Sequence, residues 1–348
     1  MTVTLGELAV RFGCELRGDP GVVVDTVGAL SHAGPRAVTF LANPKLAAQL
    51  KESRAGAVIL DAKSAGASPV PTLVVENPHA TYARVATLLH PEPPVRPGIH
   101  PTAVIAADAR IDSSAEIAPH VTVGERAVIG ARCYIGPGTV IEGDAVIGDD
   151  ARLLARAFIA HRVRLGARCV VQPGAVIGAD GFGFANEKGA WIKVPQLGSV
   201  SVGDDVEIGG NTTIDRGAIE DTVIEDGVKL DNLIMVAHNC RIGAHTAIAA
   251  MTGIAGSTLI GKRCFIGGEA GFSGHLSVCD DVVILGRSLI TRSITKPGVY
   301  SSALSAEEAS VWRRIVGRIK RLDSMAKRLR AVEKHVGLSS AERDNSED

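Results

Sequence analysis

The sequence predicts a mainly β protein: a parallel β-helix of hexapeptide repeats, with a small α/β domain before it and a helical extension after it. Three observations carry this. Aliphatic residues recur every six positions from Ile99 through Ile105, Ile111 and onward to Ile177 without a miss, and again from Ile224 to Ile290 with Phe272 the one aromatic member. Helices require a period near 3.6 and one-sided strands a period of 2, so a hexapeptide solenoid is the architecture that fits. Aromatic residues make up only 3% of the 348 positions while 39 are glycine, which suits a narrow core of stacked Ile and Val. The beat is absent before residue 98 and ends after Pro297, which sets off the flanking parts.

Residues 1–97 read as the α/β domain. Thr4 and Glu7 form a capping-box pattern ahead of an amphipathic stretch through Phe12. Short β-rich runs follow at Ala37–Phe40, Ala57–Leu60 and Thr72–Val75, and Asn77-Pro78 opens a helix ending near Leu89. The proline-rich HPEPPVRPG, residues 90–98, is a stiff linker. Residues 98–300 form the prism, each hexad giving a short strand and a corner. The aliphatic residue and the small fifth residue point inward, and three hexads close a coil, so residues 18 apart stack. At about 4.8 Å per strand, some ten coils make a rod on the order of 48 Å long. Cys133, Cys169, Cys240 and Cys264 all fall on the small fifth position, where a thiol acts as compact apolar filler, and no Cys-x-x-Cys occurs.

The phase slips twice. Ile177 to Val202 is one residue more than a multiple of six, and the gap holds Asp180-Gly-Phe-Gly-Phe184 and Trp191, so a loop leaves the prism there and carries aromatics outward. Val202, Ile208 and Ile214 resume the beat, and a slip of four residues precedes Ile224. In the extension, residues 301–348, apolar residues from Val311 to Val336 are spaced by three and four, the mark of an amphipathic helix. Between Val311 and His335 nine Lys or Arg face two acidic residues.

A net charge of −1 gives no electrostatic case for nucleic acid. No basic-then-apolar leader opens the chain, and no run reaches the ~18 apolar residues of a membrane span. The expectation is a cytoplasmic protein.

Ten histidines are present, and phase selects among them. His238 is the third residue of the hexad Val236-Ala-His-Asn-Cys-Arg, an outward or corner position. Steps of 18 from it reach Gly256, Gly274 and Arg292: a histidine, two glycines and an arginine along one edge describe the floor of a groove. His275 lies two coils from His238, roughly 10 Å by strand spacing. That is too far for a catalytic pair but suits a second contact with one extended ligand. Metal chemistry as in a trimeric zinc carbonic anhydrase would need three imidazoles round one ion, which this spacing does not supply.

Several segments carry a resemblance. Ile177-Gly-Ala-Asp-Gly-Phe-Gly-Phe184, Thr212-Thr-Ile-Asp-Arg-Gly217, Asp231-Asn232, Ala237-His-Asn239, Gly267-Gly268, Gly274-His275 and Pro297-Gly-Val-Tyr-Ser-Ser302 stand in order, with FLANPK (40–45) and NPHATYAR (77–84) in the first domain. Together they resemble the UDP-3-O-(3-hydroxyacyl)glucosamine N-acyltransferase family of lipid A biosynthesis. The resemblance implies a left-handed parallel β-helix, a cytoplasmic homotrimer and transfer of a 3-hydroxyacyl chain from acyl carrier protein to the 2-amino group of a UDP-sugar, with no cofactor beyond the donor thioester. It implies His238 as general base, Gly256 as the oxyanion N–H, His275 near the nucleotide sugar's phosphates, Asn232 among the substrate contacts, and Phe40 and Asn43 as holders of uracil. The family often has an aromatic where this chain has Leu46. Asp231 is a candidate to orient His238, and equally a corner-capping residue.

The chemistry agrees, because an amine attacking a thioester must lose a proton, and imidazole, with an ordinary pKa of about 6.5, can take it. Arg292, Arg313, Arg314 and Arg318 are candidates to meet an acidic carrier. The rivals are an O-acyltransferase acting on UDP-N-acetylglucosamine, a coenzyme A-dependent sugar N-acetyltransferase and a purely structural rod. The first domain with its FLANPK segment disfavours the first two, and the phase-breaking loops disfavour the last.

Overall fold

The structure, a computed structural model, describes residues 1–302 and 304–336; positions 337–348 of the expected extension lie outside it. The chain divides into two compact units, Met1–Pro94 and a second that begins at Val95. Among the described residues no helix is long and apolar enough to cross a membrane.

In the first unit, Thr4 caps the helix Leu5–Phe12: its Oγ1 accepts from the Glu7 N–H at 3.2 Å while the Glu7 carboxylate accepts from the Thr4 N–H at 2.7 Å. Gly13 ends the helix at φ 65°, the left-handed conformation that glycine adopts without strain. A five-stranded sheet runs in the order Glu15–Arg17, Thr72–Val74, Ala57–Leu60, Ala37–Phe40, Thr26–Val27, parallel except for the first pair. Asn77 caps the helix Pro78–Leu89 by accepting from the Ala80 N–H. Leu5, Leu8, Val38, Ile59, Leu73 and Val85 fill the core between helices and sheet.

The second unit is a prism of three parallel sheets with nine, ten and eleven strands. Strands 18 residues apart pair in register, as in Glu116–Ile117 with Tyr134–Ile135 and Arg152–Leu153. Ile129, Ile135, Ile141 and Ile147 are at most 1% exposed, so each contributes the ~1.5–3 kcal/mol of a fully buried aliphatic side chain. The fifth-position cysteines are buried with them. Burial pushes the thiols of Cys133, Cys169 and Cys240 up to about 11, and their Sγ–H groups donate to Gly148, Gly203 and Ala255 carbonyls. These thiols are filler and are not reactive at neutral pH.

Corners turn through non-glycine residues in the left-handed region, including Asp150 (φ 58°), Arg168 (57°) and His275 (60°). That conformation costs an L-residue about 1–2 kcal/mol. The cost is offset because it aims the N–H at a carbonyl of the neighbouring coil, as for Asp150 to Ala131 at 2.8 Å and His275 to Gly256 at 3.0 Å.

The two slips leave the coils intact. Val171 pairs directly with Ile208, 37 positions on, so 19 residues beyond one coil depart from the prism. They carry the hairpin Phe184–Glu187 with Ala190–Lys193, and Phe182 and Trp191 stand 76% and 66% exposed. A departure of one full coil plus one residue mimics a one-residue slip in the sequence. Ile208 then pairs with Leu230, the four extra residues forming the turn after Thr213–Asp215. The extension differs from the single helix its spacing suggests. It forms Ala309–Ile319 and Leu322–Val336, because the ladder tightens between them: the Arg321 N–H bonds the Arg318 carbonyl, one residue short of the α-helical partner. Leu322, Met325, Leu329 and Val332 are each more than half exposed.

Candidate active site

His238, Gly256, Gly274 and Arg292 follow the strands Met235–Val236, Gly253–Ile254, Gly271–Phe272 and Leu289–Ile290, successive rungs of the ten-stranded sheet. The column read from spacing is therefore one edge of the prism. His238 is half-buried there. A Cβ at Gly256 would lie 2.7 Å from its Nε2 and 2.8 Å from its Cε1, so glycine at 256 is what lets the imidazole lie across the next coil. On the other side, a Cβ at Gly181 would lie 2.8 Å from the His238 Cβ and 3.1 Å from Gln196 Oε1. The loop that leaves the prism thus returns to wall the histidine.

Asn239 sets the imidazole's tautomer. The slip of four residues leaves the Ala218 N–H and the Glu220 carbonyl without a ladder partner, and the Asn239 side chain takes both: Oδ1 accepts from Ala218 at 3.0 Å and Nδ2 donates to Glu220 at 2.9 Å. With the amide's orientation fixed in this way, the 2.9 Å contact between Asn239 Oδ1 and His238 Nδ1 requires the proton on Nδ1. Nε2 is left with a free lone pair, facing Gly256.

Elsewhere on the rod the third-position N–H of a hexad is taken by a side chain of the neighbouring coil, as Ala131 by Asp149 (2.9 Å), Ala167 by Asp204 (2.8 Å) and Lys262 by Asp280 (2.8 Å). On the stretch of this edge from His238 to Arg292 no such acid stands among the described residues, whereas farther down the same edge Glu142 takes the His161 N–H at 2.8 Å. Among the described residues, the Gly256 N–H donates to no protein acceptor.

Asp231 does not orient His238. It sits on another face, after Lys229–Leu230 of the eleven-stranded sheet, where its carboxylate accepts from the Asn232 N–H at 2.8 Å and the Ala250 N–H at 3.1 Å. This is the corner-capping alternative, and the contact expected of Asp231 is made by Asn239. Asn232 Oδ1 likewise caps a corner, accepting from the Gly210 N–H at 2.7 Å. His275 is exposed two coils along the edge from His238, and Arg292 is exposed one coil further. Arg313, Arg314 and Arg318 are exposed on the helix Ala309–Ile319. In the first unit Phe40 stacks on His79 at 5.2 Å and meets Tyr82 in a tilted contact at 4.3 Å, Asn43 Oδ1 accepts from the Lys45 N–H, and Leu46 is exposed.

Asp215, which spacing does not single out, is buried at 8% exposure at the end of Thr213–Asp215. Burial pushes its carboxyl up to about 6, with the nearby His238 pulling it down and Asp180 pushing it further up. Among the described residues no three His, Cys, Asp or Glu side chains are grouped to hold a metal ion.

A hexapeptide β-helix with an imidazole facing an uncommitted backbone N–H fits a hexapeptide-repeat acyltransferase. Comparison with known proteins narrows this. The profile of UDP-3-O-(3-hydroxymyristoyl) glucosamine N-acyltransferase, LpxD, matches residues 22–88, and a hexapeptide-repeat profile of succinyl-transferase matches 258–286. The chain is 48% identical to the UDP-3-O-acylglucosamine N-acyltransferase of Pseudomonas aeruginosa, over 100% of this chain and 99% of that one. It is 47% identical to the protein of that name from Coxiella burnetii, over 97% and 98%. The chain belongs to the UDP-3-O-acylglucosamine N-acyltransferase family. In fold it is similar to an Arabidopsis UDP-N-acetylglucosamine acyltransferase, with a TM-score of 0.54 at 21% identity over 72% of this chain and 86% of that one.

Proposed function

We propose that the protein transfers a 3-hydroxyacyl chain from the phosphopantetheine thioester of acyl carrier protein to the 2-amino group of UDP-3-O-(3-hydroxyacyl)glucosamine, the N-acylation of lipid A biosynthesis. The observation that carries the reading is the tautomer lock at His238 with Nε2 directed at the Gly256 backbone. The amine nitrogen attacks the thioester carbon as Nε2 takes its proton. The oxyanion is met by the Gly256 N–H, the C–S bond breaks, and the proton passes to the departing pantetheine sulfur. No cofactor enters beyond the donor's own thioester.

His275 contacts the nucleotide sugar's phosphates in this reading, and Phe40 and Asn43 hold uracil with Leu46 in place of a second aromatic. The pantetheine arm lies along Gly274 and Gly256, and the acidic carrier docks on Arg292, Arg313, Arg314 and Arg318. The protein works in the cytoplasm as a homotrimer. The exposed apolar stripe of Leu322, Met325, Leu329 and Val332 supports the assembly, since three such stripes can bury one another.

His238→Ala is expected to lose turnover while keeping the parent's oligomeric state and melting temperature; a collapsed rod would make the histidine structural. Reversing charge at Arg313 and Arg314 is expected to raise the KM for acyl carrier protein several-fold without changing that for the UDP-sugar. An unchanged carrier KM removes the docking assignment.

A further inference from the structure

One buried charge near His238 is not used by the chemistry described above. Thr213–Ile214 pair with Met235–Val236, so Asp215, next in line, lies beside Ala237 at a spacing of about 4.8 Å and one residue short of His238. On its other side Asp215 pairs with Ala179 at a register shift, which sends the chain into Asp180 and Gly181, the residues that wall the imidazole.

Asp180 is matched by Lys193 at 2.5 Å, with Arg216 at 3.9 Å. Arg216, the next residue along, turns its guanidinium the opposite way, donating to the Gly178 carbonyl at 2.8 Å and the His161 carbonyl at 3.1 Å. The Cys240 thiol, on the same coil as His238, is buried and pushed up to about 11, by burial first and by Asp215 in part, so it stays neutral. Gln196 presents only its amide: Nε2 donates to the Val194 carbonyl, and the buried Oε1 has no partner among the described residues. Among the described residues no Lys or Arg pairs with Asp215. Among the described residues the cation-forming group whose charge acts on Asp215 is the imidazole of His238.

We propose that Asp215 is a positioning residue for the acyl transfer: its buried carboxylate stabilises the imidazolium that forms when His238 Nε2 takes the proton of the attacking amine. This rests on His238 being the base. Asn239 then fixes which nitrogen is free, while Asp215 sets how strongly that nitrogen holds the proton. The division differs from a hydrolase triad, where one carboxylate does both through a direct hydrogen bond.

The test is Asp215→Asn, read by the titration of histidine resonances in protein labelled with 13C-histidine. The His238 signal is identified by its absence in His238→Gln. The carboxamide keeps the shape and removes the charge, so the His238 midpoint is expected to move to lower pH by about one unit, as for loss of an opposite charge nearby. The kcat at neutral pH is expected to fall about tenfold with both KM values little changed, and the acidic limb of kcat/KM is expected to move in step. Asp215→Glu, which restores the charge, is expected to recover part of the midpoint. A midpoint that stays in place, or Asn and Glu variants that behave alike, overturns the proposal while leaving the base assignment standing. Turnover retained in His238→Gln overturns the base assignment and this proposal with it.

Discussion

Gly256 is the position at which one added carbon should separate catalysis from stability. In Gly256→Ala the new Cβ would lie 2.7 Å from His238 Nε2 and 2.8 Å from Cε1. Ordinary contact needs roughly 3.5 Å, so the ring must retreat by ~0.8 Å. A misplacement near 1 Å costs about 10²-fold in rate, equivalent to about 2.7 kcal/mol of transition-state stabilisation. The fold should lose little, because Gly256 is outside the left-handed region and the half-buried imidazole can swing aside. The assay is steady-state turnover with 3-hydroxyacyl carrier protein, beside a thermal melt. Gly253→Ala is the control, since a Cβ there meets nothing within 4 Å. The reasoning is refuted if Gly256→Ala turns over within twofold of the parent, or if Gly253→Ala loses as much.

Asn239→Ala should lower kcat by at least about 10²-fold with KM nearly unchanged, since a histidine released into the wrong tautomer has no base to offer; single-turnover rates separate this from slow product release. Asp215 predicts a stability effect with a definite sign. Its carboxyl is held up to about 6 by burial, so the folded state binds the extra proton and loses stability as pH rises from the ordinary carboxyl range through 6. Asp215→Asn should therefore melt above the parent at pH 8, with the gap closing toward pH 4; a gap constant with pH would contradict that assignment. Ile147→Ala, at a position 1% exposed in the prism core, should cost 2–5 kcal/mol in chemical denaturation, and a loss below about 1 kcal/mol would mean that the column does not carry the packing.

The hexad period was legible because it is a local code: each coil repeats the same requirement for an inward aliphatic residue and a small fifth residue. The edge from His238 to Arg292 was legible for the same reason, as steps of 18 hold throughout that stretch. What lay outside the period was harder to see. The 19-residue departure reads in sequence as a slip of one, so the hairpin's return onto His238 through Gly181 has no spacing signal. Asn239 and Asp215 flank the four-residue turn, where register, and not periodicity, decides what meets the imidazole. The turn itself was visible, and it was the one clue that the coil before His238 is irregular. Asp231 drew attention because it is acidic and close in sequence, yet the prism turns a corner between it and His238.

The most direct measurement is product mass after incubating the purified protein with 3-hydroxyacyl carrier protein and either UDP-3-O-acylglucosamine or UDP-N-acetylglucosamine, beside His238→Ala. The account predicts an amide product from the first acceptor alone, absent in the variant. Transfer to the second acceptor, or product persisting in His238→Ala, would contradict it.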